Sequence, residues 1–563
     1  MTVNTTDRTP AGELFDPVSL EVMWSRLINI ADEMWTTVLR TAVSTIIGAA
    51  QDFGCELLDE RGNSLAHSYR SMPVFNLIMP ELTRKLIEAY PVETMQPGDV
   101  YTTNDPWLCA GHLDDIAVIM PIFRGKKVAA FANTVAHTSS IGGALDGVSV
   151  RDLHEEGLFF PLLKLYDAGQ PNETLFAIIR SNVRQPDMVL TDIESQVTAN
   201  TVAQERLLAF MDEYELSSLS ELATTVQARA ETAMRAAIEA IPDGRYTASE
   251  MIEGNGEPLE LRVAIDVHGS EILVDYDGTA PQTLGGGINC TFTYTRAHTV
   301  YPLKCLLTPK VPNNEGCFRP ISTIAPERSI LHAQPPASVN SRTKTGWHIH
   351  SLIFAALAEA LPERVQAGNG LMYTLRAYAR DADGTPRNAH LICGGGRGAG
   401  HGHDGVTRNC FPSSAGNVPI EIFENRVPLL VDENALVQNS GGKGTWRGAP
   451  GQRLTVRKRP GHDLPVAIYV HPDRLRFPAP ALFGGEDSQR NTLLLNGENI
   501  APDGTLSSGE IVLREAEDTF TSIVAGGAGY GMPEARDPEA MQRDVAYGYV
   551  ARDCAAVDVT NRR

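Results

Sequence analysis

The residues best suited to chemistry lie in one short segment and at one later histidine. Segment 104–115 holds His112, Asp114 and Asp115, and His137 follows an apolar stretch. Imidazole nitrogens and carboxylate oxygens are the ligands of catalytic Zn²⁺ or Mn²⁺ sites, and three of them leave a coordination position open for water. These residue types favour a metal site. The alternative is an Asn-Asp-Pro turn followed by capping or solvated side chains.

A β-hairpin explains how these distant residues meet. Two apolar stretches, 116–123 and 128–135, flank a turn that is centred just after Gly125. With that centre, paired residues have numbers that sum to about 251. His137 then faces Asp114, to within two positions. The pairing brings two histidines and an aspartate to one end of the hairpin.

Apolar spacing and turn residues predict the elements around this hairpin. We predict a mixed α/β (α+β) chain with several domains. Its helix-rich N-terminal half contains β-hairpins, and a β-rich region follows at the C-terminus. The predicted elements are a bent helix over 16–47, a hairpin over 52–68, a helical stretch over 181–241, strands within 245–278, helices over 291–307 and 341–361, and short strands from 370 onward.

Length and composition limit what the protein can be. The 563 residues exceed one hydrophobic core, and we predict domains over 1–242, 243–369 and 370–563. The formal net charge of −21 repels phosphate backbones and anionic lipids, so we expect no nucleic-acid partner and no membrane association. A polar N-terminus, no long apolar run and eight cysteines without a CxxC pair favour a cytoplasmic protein.

A glycine-rich segment is a second candidate site. Residues 394–405 contain His401, His403 and Asp404 among glycines that permit close approach of a ligand to the backbone. No helix pattern follows the segment, so the dinucleotide-binding fingerprint fails, and a structural or interface loop is the main alternative. His154, beside two glutamates, is a weaker candidate that a charged turn explains equally well.

Familiar catalytic and nucleotide motifs are missing from the sequence. It has no GxxxxGK[ST] phosphate-binding loop and no GxSxG nucleophile elbow. Cys55 and Cys109 show no sequence sign of activation, although Cys109 is close enough to His112 to line the same site. The sequence therefore argues against ATP binding by this chain itself.

Nine short motifs spread along the chain form a specific combination. They are DPVSLEV at 16–22, LRTA at 39–42, DFGC at 52–55, the segment 104–115, EGL at 156–158, GINC at 287–290, NVPIE at 417–421, SGG at 440–442 and RDV at 543–545. Together they resemble the hydantoinase B/oxoprolinase family over nearly the whole chain. That family includes the B subunits of N-methylhydantoin amidohydrolases and caprolactamase, and it is related to subunits of acetone and acetophenone carboxylases.

The resemblance implies a divalent metal, Zn²⁺ or Mn²⁺, held by four side chains. Those side chains are Asp52, His112, Asp115 and His137. The hairpin argument reaches three of them, whereas Asp52 comes from the family alone. The chain departs from the family pattern at 48–51, where relatives carry an acidic residue, and at Cys109 and Ala110. We take Asp114 and Glu156 as the candidate catalytic residues, and the identity of the general base stays open.

The resemblance also implies a division of labour between two subunits. A larger hydantoinase A-type partner binds ATP and phosphorylates the oxygen of a cyclic amide, such as a hydantoin, lactam or oxoproline. This chain then hydrolyses the activated substrate with metal-assisted water. A reactive intermediate needs an enclosed path, so we expect a stable hetero-oligomer in which the segment 394–405 lines that path.

Two alternatives remain at this point. The chain is a subunit of an ATP-dependent ketone carboxylase of the acetone or acetophenone type, or it is a scaffold that has lost its metal. The retained candidate ligands argue against the scaffold. The chain length favours the hydrolase over the carboxylase only weakly.

Overall fold

Four β-sheets with helices packed on them form the scaffold in a computed structural model that describes residues 15–506 and 508–552. Each sheet takes its strands from one of the three predicted regions. The mixed α/β class, the helix-rich N-terminal half and the β-rich C-terminal region are confirmed. The domain boundaries stay a prediction.

The N-terminal region is a seven-stranded sheet covered by helices. Its elements are α1 (Pro17–Thr41), α2 (Thr45–Gly48), β1 (Phe53–Asp59), β2 (Ser64–His67), α3 (Pro73–Ala89), β3 (Val100–Thr103), β4 (Asp115–Arg124), β5 (Lys127–His137), β6 (Leu163–Asp167), β7 (Gln170–Pro171), α4 (Glu173–Asn182), α5 (Pro186–Glu213) and α6 (Ser220–Glu239). The strand order is β2-β1-β5-β4-β3-β6-β7. The hairpin β4–β5 therefore lies inside the sheet, where neighbouring strands hold it on both sides.

The predicted bent helix over 16–47 is in fact two helices, α1 and α2, joined by an extended link. The Asp192 carboxylate of α5 accepts the backbone N–H groups of Val43 at 2.8 Å and Ser44 at 3.3 Å. This long-range contact satisfies donors that a continuous helix would have used internally. The prediction of one helix is wrong at 42–44 for that reason.

The hairpin β4–β5 differs from the predicted pairing by one residue. A β-bulge after Ile122 shifts the register towards the open end of the hairpin. His137 therefore pairs with Asp115, and not with Asp114. This difference lies within the two positions that the prediction allowed. The bulge determines that the carboxylate opposite His137 is that of Asp115.

The middle region contains a smaller sheet and the helices that cover it. Its elements are β8 (Gly244–Ile252), β9 (Leu259–His268), β10 (Glu271–Asp275), α7 (Phe292–Leu307), α8 (Glu315–Phe318), β11 (Ile321–Ile324), α9 (Thr343–Gly346) and α10 (His348–Ala356). The order is β11-β10-β9-β8, with β10 and β11 parallel. This region supplies the loop and helix that close the candidate site from one side.

Two further predicted helices are interrupted in the structure. The helical stretch over 181–241 is divided among α4, α5 and α6, and Pro186 opens α5 because its fixed φ suits a first helical turn. The helix predicted over 341–361 is divided at Trp347 into α9 and α10 and ends at Ala356. Apolar periodicity identified both helical stretches but not their breaks.

The C-terminal region has two sheets and two short helices. Its elements are β12 (Met372–Arg380), β13 (Pro386–Gly394), α11 (Ile420–Arg426), β14 (Leu429–Leu436), β15 (Gln452–Lys458), β16 (Val466–Tyr469), β17 (Thr492–Leu495), β18 (Glu498–Asn499), β19 (Glu510–Leu513), β20 (Thr519–Ile523) and α12 (Pro538–Ala546). One sheet has the order β13-β12-β16-β19 and the other β14-β15-β20-β17-β18. The first of these sheets faces the candidate site.

One large cluster of buried apolar side chains extends through all three regions. It includes Trp35 of α1, which stacks on Phe53 with ring centroids 5.1 Å apart, as well as Leu352 of α10 and Leu375 of β12. The regions are therefore packed on a shared core. Within the described residues, no helix is long and apolar enough to span a bilayer.

Candidate metal centre

Three of the predicted ligands meet at the open end of the hairpin. His112 lies in the turn before β4, Asp115 is the first residue of β4, and His137 is the last residue of β5. His112 Nε2 and His137 Nδ1 each lie 2.9 Å from Asp115 Oδ1. Each of the three residues has a ligand atom within 4.8 Å of the others. The β-pairing of Asp115 with His137, together with the turn that carries His112 just before β4, produces this cluster.

The environment of His112 fits a metal ligand. Its Nδ1 lies 3.3 Å from the carbonyl oxygen of Asn340, which accepts the N–H, so Nε2 carries the lone pair. Although Nε2 is close to Asp115, its orientation gives no hydrogen bond, and this buried atom has no partner among the described residues. Burial and the nearby Arg342 guanidinium lower the pKa of His112, which favours the neutral ring that metals require.

The buried guanidinium of Arg342 helps to keep Asp115 ionised. Arg342 donates to Asp115 Oδ2 at 2.8 Å and to the carbonyl oxygen of Ala110, and its guanidinium lies over the ring of Tyr294, 4.5 Å from the centroid. Burial opposes ionisation of Asp115, but His112 and Arg342 outweigh it and hold its pKa well below the usual range. Asp115 therefore stays charged and oriented at any physiological pH.

Asp52 occupies a different position from the other three predicted ligands. It lies between α2 and β1 and lines the same cavity, but it is not in the group of mutually close ligand atoms. Its backbone oxygen accepts the N–H of His137 at 3.0 Å. Burial raises the pKa of the Asp52 carboxyl to about 6, although His137 opposes that shift. Asp52 is therefore placed to exchange a proton near neutral pH.

The two candidate catalytic carboxylates lie beside the main cavity, lining a smaller adjoining one. Asp114 Oδ2 is 3.7 Å from both His112 Nδ1 and the Arg376 guanidinium. Burial would raise its pKa, but Arg376 and the histidines lower it, so Asp114 is ionised. Glu156 accepts the backbone N–H groups of Val339 at 2.5 Å and Asn340 at 3.0 Å. Glu156 thus holds the loop that contacts His112.

The Glu156 carboxyl makes a pH-dependent contribution to stability that can be measured. Burial raises its pKa from about 4.5 to about 8, despite the two backbone N–H donors. The folded state therefore retains a proton that the unfolded state loses, and this contribution falls as the pH rises from about 4.5 to about 8, by at most about 1.4 kcal/mol per pH unit. In Glu156→Gln, the thermal midpoint should fall less steeply over this interval than in wild type. The exposed control Glu257→Gln should keep the wild-type dependence of the thermal midpoint on pH. The same dependence in Glu156→Gln as in wild type would contradict the raised pKa of Glu156.

The cavity walls contain residues that the sequence prediction missed. They include Arg342, Lys344, Arg376 and His390, which come from the middle and C-terminal regions. Arg342 is 227 positions from its partner Asp115, so no local spacing connects the two. Arg342 and Arg376 contact the hairpin carboxylates Asp115 and Asp114, so the cavity combines acidic and cationic side chains.

The glycine-rich segment 394–405 packs closely against other backbone segments. None of its residues lines the main cavity, and its place on a path between subunits stays a prediction. A Cβ on Gly398 would lie 2.0 Å from the Ala367 carbonyl oxygen, which shows that the glycines allow backbones to pack. Asp404 forms an ion pair with Arg536, and the ring centroid of His401 lies 4.7 Å from that of Trp446.

The remaining weak candidates lie outside the cluster as well. His154 is exposed, in a short turn that Asp152 caps. Cys55 and Cys109 are buried, and burial raises the pKa of each thiol, so neither is an activated nucleophile. The metal-type cluster is therefore the chemically distinctive feature of the main cavity.

Comparison with known proteins identifies the class. Residues 16–533 match the model of the hydantoinase B/oxoprolinase family, and the chain belongs to this family. It is 29% identical to a putative D-/L-hydantoinase B subunit from Pseudomonas sp. (strain NS671), covering 96% of this chain and 94% of that protein. The family resemblance inferred from the motifs is confirmed.

Solved structures share this fold. The crystal structure of the ATP-dependent caprolactamase from Pseudomonas jessenii superposes with a TM-score of 0.88 at 24% identity and covers 96% of both chains. A nucleotide-free structure of acetone carboxylase gives a TM-score of 0.81 at 16% identity, covering 96% of this chain and 79% of that one. Both comparisons establish the architecture over nearly the whole chain.

Proposed function

We propose that this chain is the cytoplasmic B subunit of an ATP-dependent cyclic amide hydrolase that acts on a hydantoin, lactam or oxoproline type of substrate. The observation that carries the proposal is the convergence of His112, Asp115 and His137 in a cavity of a hydantoinase B/oxoprolinase family member. A putative hydantoinase B subunit and an ATP-dependent caprolactamase among the similar proteins support the reaction class and the use of ATP.

The residues present fit a divalent metal, Zn²⁺ or Mn²⁺. His112, Asp115 and His137 would hold it, because two imidazoles and one carboxylate form a mixed donor set suited to either ion. Asp52, the fourth ligand implied by the family, lies at the wall of the same cavity. When bound, such a metal polarises an oxygen of the substrate and lowers the pKa of a water molecule.

The protein side chains orient the metal ligands, accept a proton and bind the charged substrate. Arg342 fixes the orientation of Asp115, and the Asn340 carbonyl fixes the tautomer of His112. When Asp52 lies outside the donor set of the metal, its carboxylate in the cavity wall is placed to accept a proton from a water that attacks the substrate. Arg376 is one-third exposed at the cavity and supplies positive charge for a phosphorylated, anionic substrate.

We predict that the isolated chain neither hydrolyses ATP nor opens a cyclic amide. The reason is that its sequence has no phosphate-binding loop, and its net charge of −21 opposes binding of a free nucleotide. Mixing with an A-type subunit should produce both activities, measured as phosphate release and as ring-opened product. ATP hydrolysis that follows the concentration of the highly purified chain alone would contradict this division of labour.

The runner-up is a subunit of an ATP-dependent ketone carboxylase, since acetone carboxylase has the same fold. Purification of the native complex distinguishes the two. A single large A-type subunit supports the hydrolase, whereas additional small subunits and bicarbonate-dependent turnover of a ketone support the carboxylase. A scaffold that has lost its metal would show neither activity with any partner.

A further inference from the structure

A second group of metal-ligating side chains shares no residue with the candidate metal centre, although its Asp473 lines the same cavity. Glu253, His348 and Asp473 each have a ligand atom within 4.8 Å of those of the other two. Their exposed fractions are 6%, 0% and 3%, respectively. Glu253 follows β8, His348 begins α10 and Asp473 follows β16, so the group connects the middle region to the C-terminal region.

Each of the three side chains carries one buried polar atom with no hydrogen-bond partner in the part of the chain that the structure describes. These atoms are Glu253 Oε2, His348 Nε2 and Asp473 Oδ1. The distance from His348 Nε2 to Asp473 Oδ1 is 3.7 Å, too long for a hydrogen bond. Three unpaired buried atoms in one place are costly, and such atoms usually have a partner that binds them.

His348 is oriented as a metal-ligating histidine would be. Its Nδ1 lies 2.8 Å from Glu250 Oε1, which Arg474 also contacts at 2.7 Å. Glu250 therefore lies between the Arg474 guanidinium and the His348 ring, and its Oε1 accepts the Nδ1–H. In a neutral ring the lone pair is then on Nε2. A carboxylate on the second imidazole nitrogen is the usual support for a metal-bound histidine.

The buried group has more carboxylates than side-chain cations that are permanently charged. Glu250 is balanced by Arg474. Among the described residues, Asp473 Oδ1 has Lys344 Nζ at 3.5 Å and His348 Nε2 at 3.7 Å, and Glu253 accepts two backbone N–H groups but forms no ion pair. The Lys344 ammonium group is already held by the carbonyl oxygen of Pro472 at 2.7 Å. With His348 neutral, as a metal-bound ring is, one negative charge remains without a counter-ion among these buried groups.

The spacing also suits a metal. Two ligands of a tetrahedral ion, each bound at about 2.1 Å, lie about 3.4 Å apart. The 3.7 Å between His348 Nε2 and Asp473 Oδ1 is close to this value. If His348 were instead an imidazolium, its charge would compensate the acidic pair, but its Nε2–H would still have no acceptor within hydrogen-bond distance among the described residues. A water molecule would satisfy hydrogen bonds but would leave the negative charge uncompensated.

We propose that Glu253, His348 and Asp473 form a second cation site that binds a divalent transition metal of the Zn²⁺ or Mn²⁺ type. The ion has a structural role, because it ties the end of β8 to α10 and to the loop after β16. This site is independent of the proposed function and of the metal held by the hairpin.

Metal counting tests the proposal in the full-length chain. The chelator-treated protein is loaded with Zn²⁺ or, separately, Mn²⁺, passed through a desalting column and measured by elemental analysis. Glu253→Gln and Asp473→Asn should each hold one equivalent less than wild type. Glu257→Gln removes the same charge from an exposed position on the same loop and should match wild type. Equal metal content in wild type and Glu253→Gln would overturn the proposal.

A variant without the hairpin ligands distinguishes metal binding at this site from metal binding at the hairpin. The double variant His112→Ala/His137→Ala removes the hairpin donors, yet it should still retain one equivalent and show a thermal midpoint that rises with added Zn²⁺. Adding Asp473→Asn should remove both effects. The folding of the double variant is checked by circular dichroism. If it folds but neither retains metal nor gains thermal stability with Zn²⁺, the proposal is overturned, whether or not the hairpin of the wild type binds a metal.

Discussion

Replacement of His137 by alanine is expected to remove the hairpin metal and to reduce amide hydrolysis in the complete enzyme by more than about 100-fold. Loss of an outer-shell partner alone typically costs 10- to 100-fold, and His137 is itself a candidate ligand. Its Nδ1 lies 2.9 Å from Asp115 Oδ1, and no other imidazole of the described chain replaces it in the cluster. His112→Ala should have the same effect, measured as metal content and ring-opened product.

The matched control is the double variant His401→Ala/His403→Ala. It removes two exposed imidazoles that do not line the cavity, so hydrolysis and its coupling to ATP use should remain at the wild-type level. A His137→Ala enzyme with full metal content and turnover would refute the candidate centre. Uncoupled ATP use in the control would instead return the glycine-rich segment to a functional role.

The second large effect concerns the buried arginine behind the cluster. Arg342→Met keeps much of the side-chain volume but leaves the Asp115 carboxylate without its guanidinium partner. Removing one partner of a buried ion pair typically costs about 3–5 kcal/mol, because the remaining charge stays buried and unpaired. We expect a clear decrease in the urea midpoint of the metal-free chain, together with loss of activity in the complete enzyme.

An exposed ion pair provides the comparison. Arg26→Met breaks the contact of Arg26 with Glu213, whose side chains are 42% and 54% exposed. Exposed pairs contribute about 0–1 kcal/mol, so this variant should unfold close to the wild-type midpoint. If the two variants unfold at the same urea concentration, Arg342 does not stabilise the cluster as described. Addition of Zn²⁺ should partly restore Arg342→Met, since a cation again compensates Asp115.

The sequence predicted the part of the site that depends on local pairing. His112, Asp115 and His137 belong to one hairpin, so turn position and strand alternation brought them together before the fold was known. The bulge after Ile122 could not be read from the sequence, and it decided between two adjacent aspartates. The helix break at 42–44 was missed because a contact with Asp192, 149 positions away, sets it and apolar spacing does not.

The rest of the site depends on contacts across hundreds of residues. Arg342, Arg376 and His390 reach the cavity through the packing of three regions on one core, and no spacing rule connects them to the hairpin. The same holds for the buried group of Glu253, His348 and Asp473. Its members belong to no metal-binding sequence motif, and only the folded structure brings their unpaired atoms together.

The bulge in the β4–β5 hairpin also restricts how this segment can change during evolution. Since side chains alternate between sheet faces, loss or gain of one residue near the turn would exchange the faces of Asp114 and Asp115 unless the bulge disappeared or formed in step. Length changes by two residues would keep the faces. Apart from Gly125, whose φ of 65° favours glycine, the turn should tolerate substitutions, whereas viable insertions and deletions should be even in number or be accompanied by a change in the bulge.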